Sequence, residues 1–145
     1  MGETMPDNLV LVTAHKEDYL QSAVAAALYF KDSTTLYGRY WGCTESADSL
    51  HFESCYYQGI EYAIEHQLQR FDSGAQGEHK IPRGFTPVFT CSFHKLQHSG
   101  FHQAVKAFCQ EEQPHIASYC QDARTLLPYK ASVVLPPDNA LLNPT

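Results

Sequence analysis

Ser22-Ala23-Val24-Ala25-Ala26-Ala27-Leu28-Tyr29-Phe30-Lys31 is the stretch on which the fold turns. Its four alanines favour a helix. Yet both alternating faces, Val24/Ala26/Leu28 and Ala25/Ala27/Tyr29, are apolar, which suits a central strand covered on both sides. The flanks favour the strand. Lys31-Asp32-Ser33-Thr34 supplies turn residues, and Thr35-Leu36-Tyr37-Gly38-Arg39-Tyr40-Trp41 brings aromatic and β-branched strand formers, so the two runs read as a hairpin.

Upstream, Leu9-Val10-Leu11-Val12 is a short strand preceded by a loose polar lead-in over residues 1–8. Downstream, Phe52, Tyr56, Gly59, Ile60, Ala63, Ile64 and Leu68 recur at three and four, which predicts a helix over Phe52 to Leu68. Gln69-Arg70-Phe71-Asp72 is a strand candidate ended by the glycine-rich Ser73-Gly74-Ala75-Gln76-Gly77. Val88 to Phe93 alternates like a further strand. Phe101, Val105, Phe108 and Cys109 mark a second helix, and Pro114 is expected to separate it from a third at Ile116 to Leu127. Pro136, Pro137 and Pro144 mark residues 131–145 as an irregular tail. The expected class is α/β (α+β), with a mixed, largely antiparallel sheet flanked by helices.

The chain has 145 residues, 43% of them hydrophobic, enough for one ordinary domain that buries roughly 68 to 70% of its extended surface. The apolar run from Ala23 to Phe30 falls far short of the roughly 20 residues of a spanning helix, so no membrane span is expected. Met1 to Asn8 lacks the layout of a secretion signal, which points to the cytoplasm. A formal charge of -6 disfavours nucleic-acid binding by bulk electrostatics. The five cysteines, Cys43, Cys55, Cys91, Cys109 and Cys120, form no C-x-x-C pair and read as reduced packing residues.

The densest group of reactive side chains is Asp72-Ser73-Gly74-Ala75-Gln76-Gly77-Glu78-His79-Lys80, closed by Arg83. Glycines at 74 and 77 let backbone amides point outward. Glu78 or His79, if tuned by burial or neighbours, would accept a proton near neutral pH, and Lys80 and Arg83 can hold an anion. His94, His98 and His102 share a spacing of four, but Ser99-Gly100 breaks the helix that would align them, so no metal site is expected. Cys55 and Cys91 stand in no nucleophile motif.

Two further segments join this one in a resemblance: Phe52-Glu53-Ser54-Cys55-Tyr56-Tyr57-Gln58-Gly59-Ile60-Glu61-Tyr62-Ala63-Ile64-Glu65-His66 and Leu36-Tyr37-Gly38-Arg39-Tyr40-Trp41-Gly42-Cys43. Together with Arg70 to Lys80 and Arg83-Gly84-Phe85 they are similar to the C-terminal part of a bacterial N-acyltransferase family labelled for peptidoglycan biosynthesis or recognition. That family is Fem-like and belongs to the GNAT superfamily. The resemblance covers roughly residues 9–127 and implies a GNAT-like acyltransferase domain over 9–130, the second half of a tandem architecture.

The implied activity is transfer of an acyl or aminoacyl group from a thioester or ester to an amine, with Glu78 or His79 as base. Lys80 and Arg83 are the implied anion contacts. Glu53, Tyr56, Gln58, Asp72 and Gln76 would line the cleft, joined by the backbone at Gly74 and Gly77, and Tyr57 is the better stacking candidate among the tyrosines. The resemblance implies no tightly bound cofactor, acyl-CoA or aminoacyl-tRNA as co-substrate, and a small-molecule or cell-wall-precursor amine as acceptor. The Gln/Arg-x-x-Gly-x-Gly/Ala cradle of ordinary acetyltransferases is missing, which speaks against acetyl-CoA; the Fem-like resemblance implies aminoacyl-tRNA instead, a polyanion that would need a basic path through Lys80, Arg83, Lys95 and Arg39. A lone half domain would expose a sheet edge, so self-association or pairing with another such half is expected. The alternative is a non-catalytic recognition module of the same descent.

Overall fold

The computed structural model describes residues 2–75 and 77–137. They fall into two compact units, Met1–Gln76 and Gly77–Thr145.

In the first unit the alanine-rich stretch is a strand. β1 (Leu9–Lys16), β2 (Tyr19–Lys31) and β3 (Thr35–Cys43) form antiparallel pairs, and β4 (Arg70–Asp72) joins β3 in parallel, giving the order β1-β2-β3-β4. β1 pairs with β2 between Tyr19 and Phe30 and β3 pairs with it from Ala25 to Lys31, and this tertiary gain overrides the helix propensity of alanine. Ala25, Ala27 and Tyr29 are buried on one face, while Val24, Ala26, Leu28 and Phe30 on the other are half-buried. The sheet is therefore largely antiparallel, as expected, and β1 and β3 run longer than their sequence signals.

Asp32 closes the β2–β3 hairpin. Its Oδ1 accepts from the amides of Thr34 at 2.7 Å and Thr35 at 2.8 Å, and its Oδ2 accepts from the Tyr37 hydroxyl at 2.8 Å. These bonds favour the ionised form, led by the Thr34 amide, and lower the carboxyl pKa to about 2.

A helix over residues 50–65 lies on the Tyr29 face. It opens as Leu50–Phe52, passes through a π segment at Glu53–Tyr57, and continues as Gln58–Glu65. In the π segment the Gln58 amide bonds five residues back to the Glu53 carbonyl, and the Tyr29 hydroxyl donates to the Ser54 carbonyl. The widened turn thus finds its partner across the core. Burial pushes the Tyr29 phenol pKa far up.

The periodicity predicts this helix as far as Leu68, but it stops at Glu65. Gln67 takes φ 55°, its amide bonds to the Ile64 carbonyl and that of Leu68 to Ala63, the Schellman pattern without its usual glycine. Leu68 turns into the core and supplies the hydrophobic contact that accompanies such caps. The core centres on Ala27, Tyr29 and Leu36, with Val10, Val12, Trp41, Cys55, Tyr62, Leu68 and Phe71 around it. Full burial of a side chain like Leu36 is worth about 1.5–3 kcal/mol.

The second unit corrects two expectations. Val88 to Phe93 forms no strand: the stretch is irregular and Phe93 is 97% exposed, because alternation gives no strand without a ladder partner. Nor does Pro114 divide two helices. Ser99–Thr125 is one helix with Pro114 inside it, since proline removes one hydrogen bond while its fixed φ remains helical. His98 caps it, its Nδ1 accepting from the Phe101 amide at 3.1 Å. Cys120 and Ala123 are buried near its end, where Arg124 donates to the carbonyls of Pro87 at 3.2 Å and Pro136 at 2.5 Å. Pro136 and Pro137 lie in an irregular stretch, and Pro144 lies outside the described residues. Among those residues, no helix is long and apolar enough to cross a membrane.

Candidate functional site

Glu78–Arg83 forms a 3-10 turn that places the predicted base candidates side by side. It is entered through Gly77 at φ 109°, where a Cβ would stand 2.3 Å from the His79 ring, so the imidazole folds back over a position only glycine can fill. Lys80 and Ile81 point inward and are buried, at 9% and 8% exposure. Arg83 Nη1 donates to the His79 carbonyl at 2.6 Å. Both predicted anion contacts are thus built into the turn itself.

The long helix supplies the opposite wall. Tyr119, Asp122, Ala123 and Leu126 are spaced by three, four and seven, so they share one helix face. With Glu78, His79, Ile81 and Pro82 they enclose a half-open cleft of about 390 Å³. That volume lies in the lower range of small-ligand sites, roughly 300–1,000 Å³. The Tyr119 hydroxyl donates to Glu78 Oε1 at 3.1 Å, and this bond raises the phenol pKa. A carboxylate, an imidazole, a phenol and a second carboxylate therefore border one apolar-floored cleft, a set that can take, hold and return a proton.

The sequence alone gives no reason to single out Tyr119 and Asp122. What signal there is consists of two polar residues on the same face as Ala123 and Leu126.

The remaining predicted residues lie in the first unit. Glu53, Tyr56 and Tyr57 occupy the π segment, and Gln58 follows it. Gln58 Nε2 donates to Glu53 Oε1 at 2.9 Å and to Glu61 Oε2 at 3.3 Å. Tyr56 is buried beside Phe52 and His51, whereas Tyr57 is 44% exposed. Asp72 ends β4 and accepts from the Gly74 amide at 2.8 Å, a local turn. Arg39 sits over the Tyr40 ring at 5.5 Å. Gln76 lies outside the described residues.

Two other constellations resolve locally. His94 contacts the Ser92 hydroxyl at 2.9 Å, His98 is a cap and His102 lies inside the helix, so no continuous helix presents the three. Of the cysteines expected to pack, Cys120 is buried and Cys55 intermediate, but Cys43, Cys91 and Cys109 are exposed. Cys91 lies in the irregular stretch and Cys109 on the open part of the long helix, where no core forms around them.

An α+β unit with a π-bulged helix, and a cleft bordered by adjacent Glu and His, define the structural class. The chain belongs to the FemAB-like family, described as peptidoglycan biosynthesis/recognition, whose model matches residues 1–131. No curated protein and no solved structure matches it.

Proposed function

We propose that the protein is an N-acyltransferase that moves an acyl or aminoacyl group onto an amine of a cell-wall precursor. The observation that carries this reading is the pairing of Glu78 and His79 at one cleft whose far wall is Tyr119 and Asp122. Membership of a peptidoglycan-related family supplies the substrate theme. In the step itself the amine nitrogen attacks the donor carbonyl carbon, the C–N bond forms and the C–O or C–S bond breaks. Glu78 or His79 takes the ammonium proton, and the leaving oxygen or sulfur is protonated in turn. A positioned base contributes on the order of 10² to 10⁴ in rate.

The burial of Lys80 favours a second reading, recognition without transfer, because it withdraws from the cleft a cation that a phosphate-bearing donor would use. One assay separates the two. The full chain is incubated with alanyl-tRNA or acetyl-CoA and a stem peptide carrying a free amine, and the products are weighed by mass spectrometry. Acylated peptide that falls at least 100-fold with Glu78→Gln, or with His79→Ala, supports transfer by the base so identified. Peptide binding with no acylated product from either donor leaves recognition as the function.

A further inference from the structure

We infer that Tyr119 is a positioning residue, whose hydroxyl holds the Glu78 carboxylate in one orientation toward the cleft. The inference rests on the reading of this cleft as the reactive site, and it adds a residue to that site.

Three observations converge. The Tyr119 hydroxyl reaches Glu78 Oε1 at 3.1 Å across a separation of 41 residues, so the bond is made by the fold and not by local chain geometry. Both ends are anchored independently. Tyr119 adjoins Cys120, which is buried and donates to the Pro87 carbonyl at 3.9 Å, and one turn on stand buried Ala123 and Arg124 on that same carbonyl. On the other side, the turn carrying Glu78 is held by buried Lys80 and Ile81 and by Tyr129, whose hydroxyl donates to the Gly84 carbonyl at 2.5 Å.

A phenol can serve here where a basic side chain would defeat the purpose. Tyr119 offers one hydrogen to one carboxylate oxygen and leaves the charge on Glu78, so Oε2 keeps its capacity to accept a proton. A lysine or arginine in its place would pair with the carboxylate and compete with an incoming amine. A phenol, with an ordinary pKa of about 10, is protonated through neutral pH, and its bond to the carboxylate raises that pKa further. The ionisable groups facing this pair are His79 on the turn and Asp122 on the helix. A carboxylate at the mouth of an open cleft has several rotamers, and holding one near the attacking nitrogen removes an entropic cost from the step.

The test reads the side chain directly. Three-bond couplings and ¹³C relaxation of Glu78 are measured in the wild-type chain and in Tyr119→Phe, which keeps the ring in the cleft wall. A single Glu78 rotamer that becomes averaged on loss of the hydroxyl is the expected result. An unchanged rotamer overturns the inference whatever the activity. As a second readout, the Tyr119 phenolate is followed by ultraviolet difference spectra against Tyr119→Phe: in Glu78→Gln it should form at lower pH than in wild type, and no change also overturns the inference. In the transfer assay Tyr119→Phe is expected to lower kcat by about three- to tenfold with little change in KM, the factor that one hydrogen bond supplies. If the wild-type chain transfers nothing, the proposed function falls, while the rotamer and titration results still decide the role of Tyr119.

Discussion

Gly59→Ala sets two well-measured effects against each other. Gly59 lies inside the helical segment Gln58–Glu65, where alanine is better than glycine by about 0.8–1.0 kcal/mol. Propensity alone therefore predicts stabilisation. The packing opposes it: a Cβ at this position would sit 2.6 and 2.7 Å from two ring carbons of Phe71 and 3.1 Å from Tyr29 Cε1. Phe71 would have to retreat by roughly 0.8 Å to reach ordinary contact, and overpacking of this kind costs about 1–3 kcal/mol. Retreat is difficult, because Phe71 is held in β4 and lies 5.9 Å, centroid to centroid, from Tyr29, which is 1% exposed and hydrogen-bonded to the Ser54 carbonyl. The upper part of that range applies, leaving a net loss of about 1–2 kcal/mol and a Tm lowered by about 3–8 °C. Urea unfolding should show a lower midpoint at unchanged m, and adding Phe71→Leu should restore part of the loss. A variant more stable than wild type would refute the reasoning, showing that the ring yields and propensity decides.

Three other outcomes follow from particular contacts. Tyr29→Phe leaves the buried Ser54 carbonyl without its donor and should cost about 1–3 kcal/mol in chemical unfolding, whereas a loss under about 0.5 kcal/mol would deny that the phenol supports the π segment. Asp32 has a folded-state pKa below its unfolded value, so its contribution to the hairpin is complete above about pH 4 and disappears as pH falls through about 2. A ¹³C titration of its carboxyl should have its midpoint near pH 2 in the folded chain, and a midpoint near 4 would remove the assigned hydrogen bonds. Pro114→Ala restores the missing amide in an exposed helix interior and should raise the thermal stability of that helix, by as much as about 3 kcal/mol, as read by circular dichroism at 222 nm. An unchanged or lower midpoint would mean that the helix bends at Pro114 for a packing reason.

The hairpin, the 50–65 helix and the strand at Arg70 were legible because each carries its signal locally. Two apolar faces and strand-forming flanks mark β2, spacing at three and four marks the helix face, and the Lys31 to Thr34 turn residues mark the reversal. The errors have one physical origin, namely features decided by partners far along the chain. Val88 to Phe93 has strand alternation and no strand to pair with. Gln67 adopts a left-handed conformation that its residue type does not announce, and the helix ends there because Leu68 is needed in the core. Pro114 reads locally as a terminator, although proline forbids only one bond and one close approach. At the site, Glu78 and His79 were visible as an unusual local cluster, whereas Tyr119 and Asp122 became functional candidates only when the helix face carrying them met the turn.

The tyrosines show why composition carries such information poorly. Nine are present, and the sequence directs attention to Tyr56, Tyr57 and Tyr62, which fall together on one helix. The hydroxyls that organise the structure belong elsewhere. Tyr29 reaches the Ser54 carbonyl, Tyr119 reaches Glu78, and Tyr129 reaches the Gly84 carbonyl, over separations of 25, 41 and 45 residues. Tyr29 is fixed in the core, Tyr119 and Tyr129 lie half exposed, and each directs its polar tip at one acceptor, a use that suits tyrosine because two torsions position the whole group. In the first unit the tip stabilises a widened helical turn; in the second, two tips hold the segment bearing the candidate base. In the proposed transfer, the geometry of the cleft depends on the Tyr119 and Tyr129 hydroxyls as well as on Glu78 and His79. Tyr129→Phe should then loosen the 78–84 turn, seen as faster amide exchange there. It should weaken transfer without touching the cleft, whereas unchanged exchange would confine positioning to Tyr119.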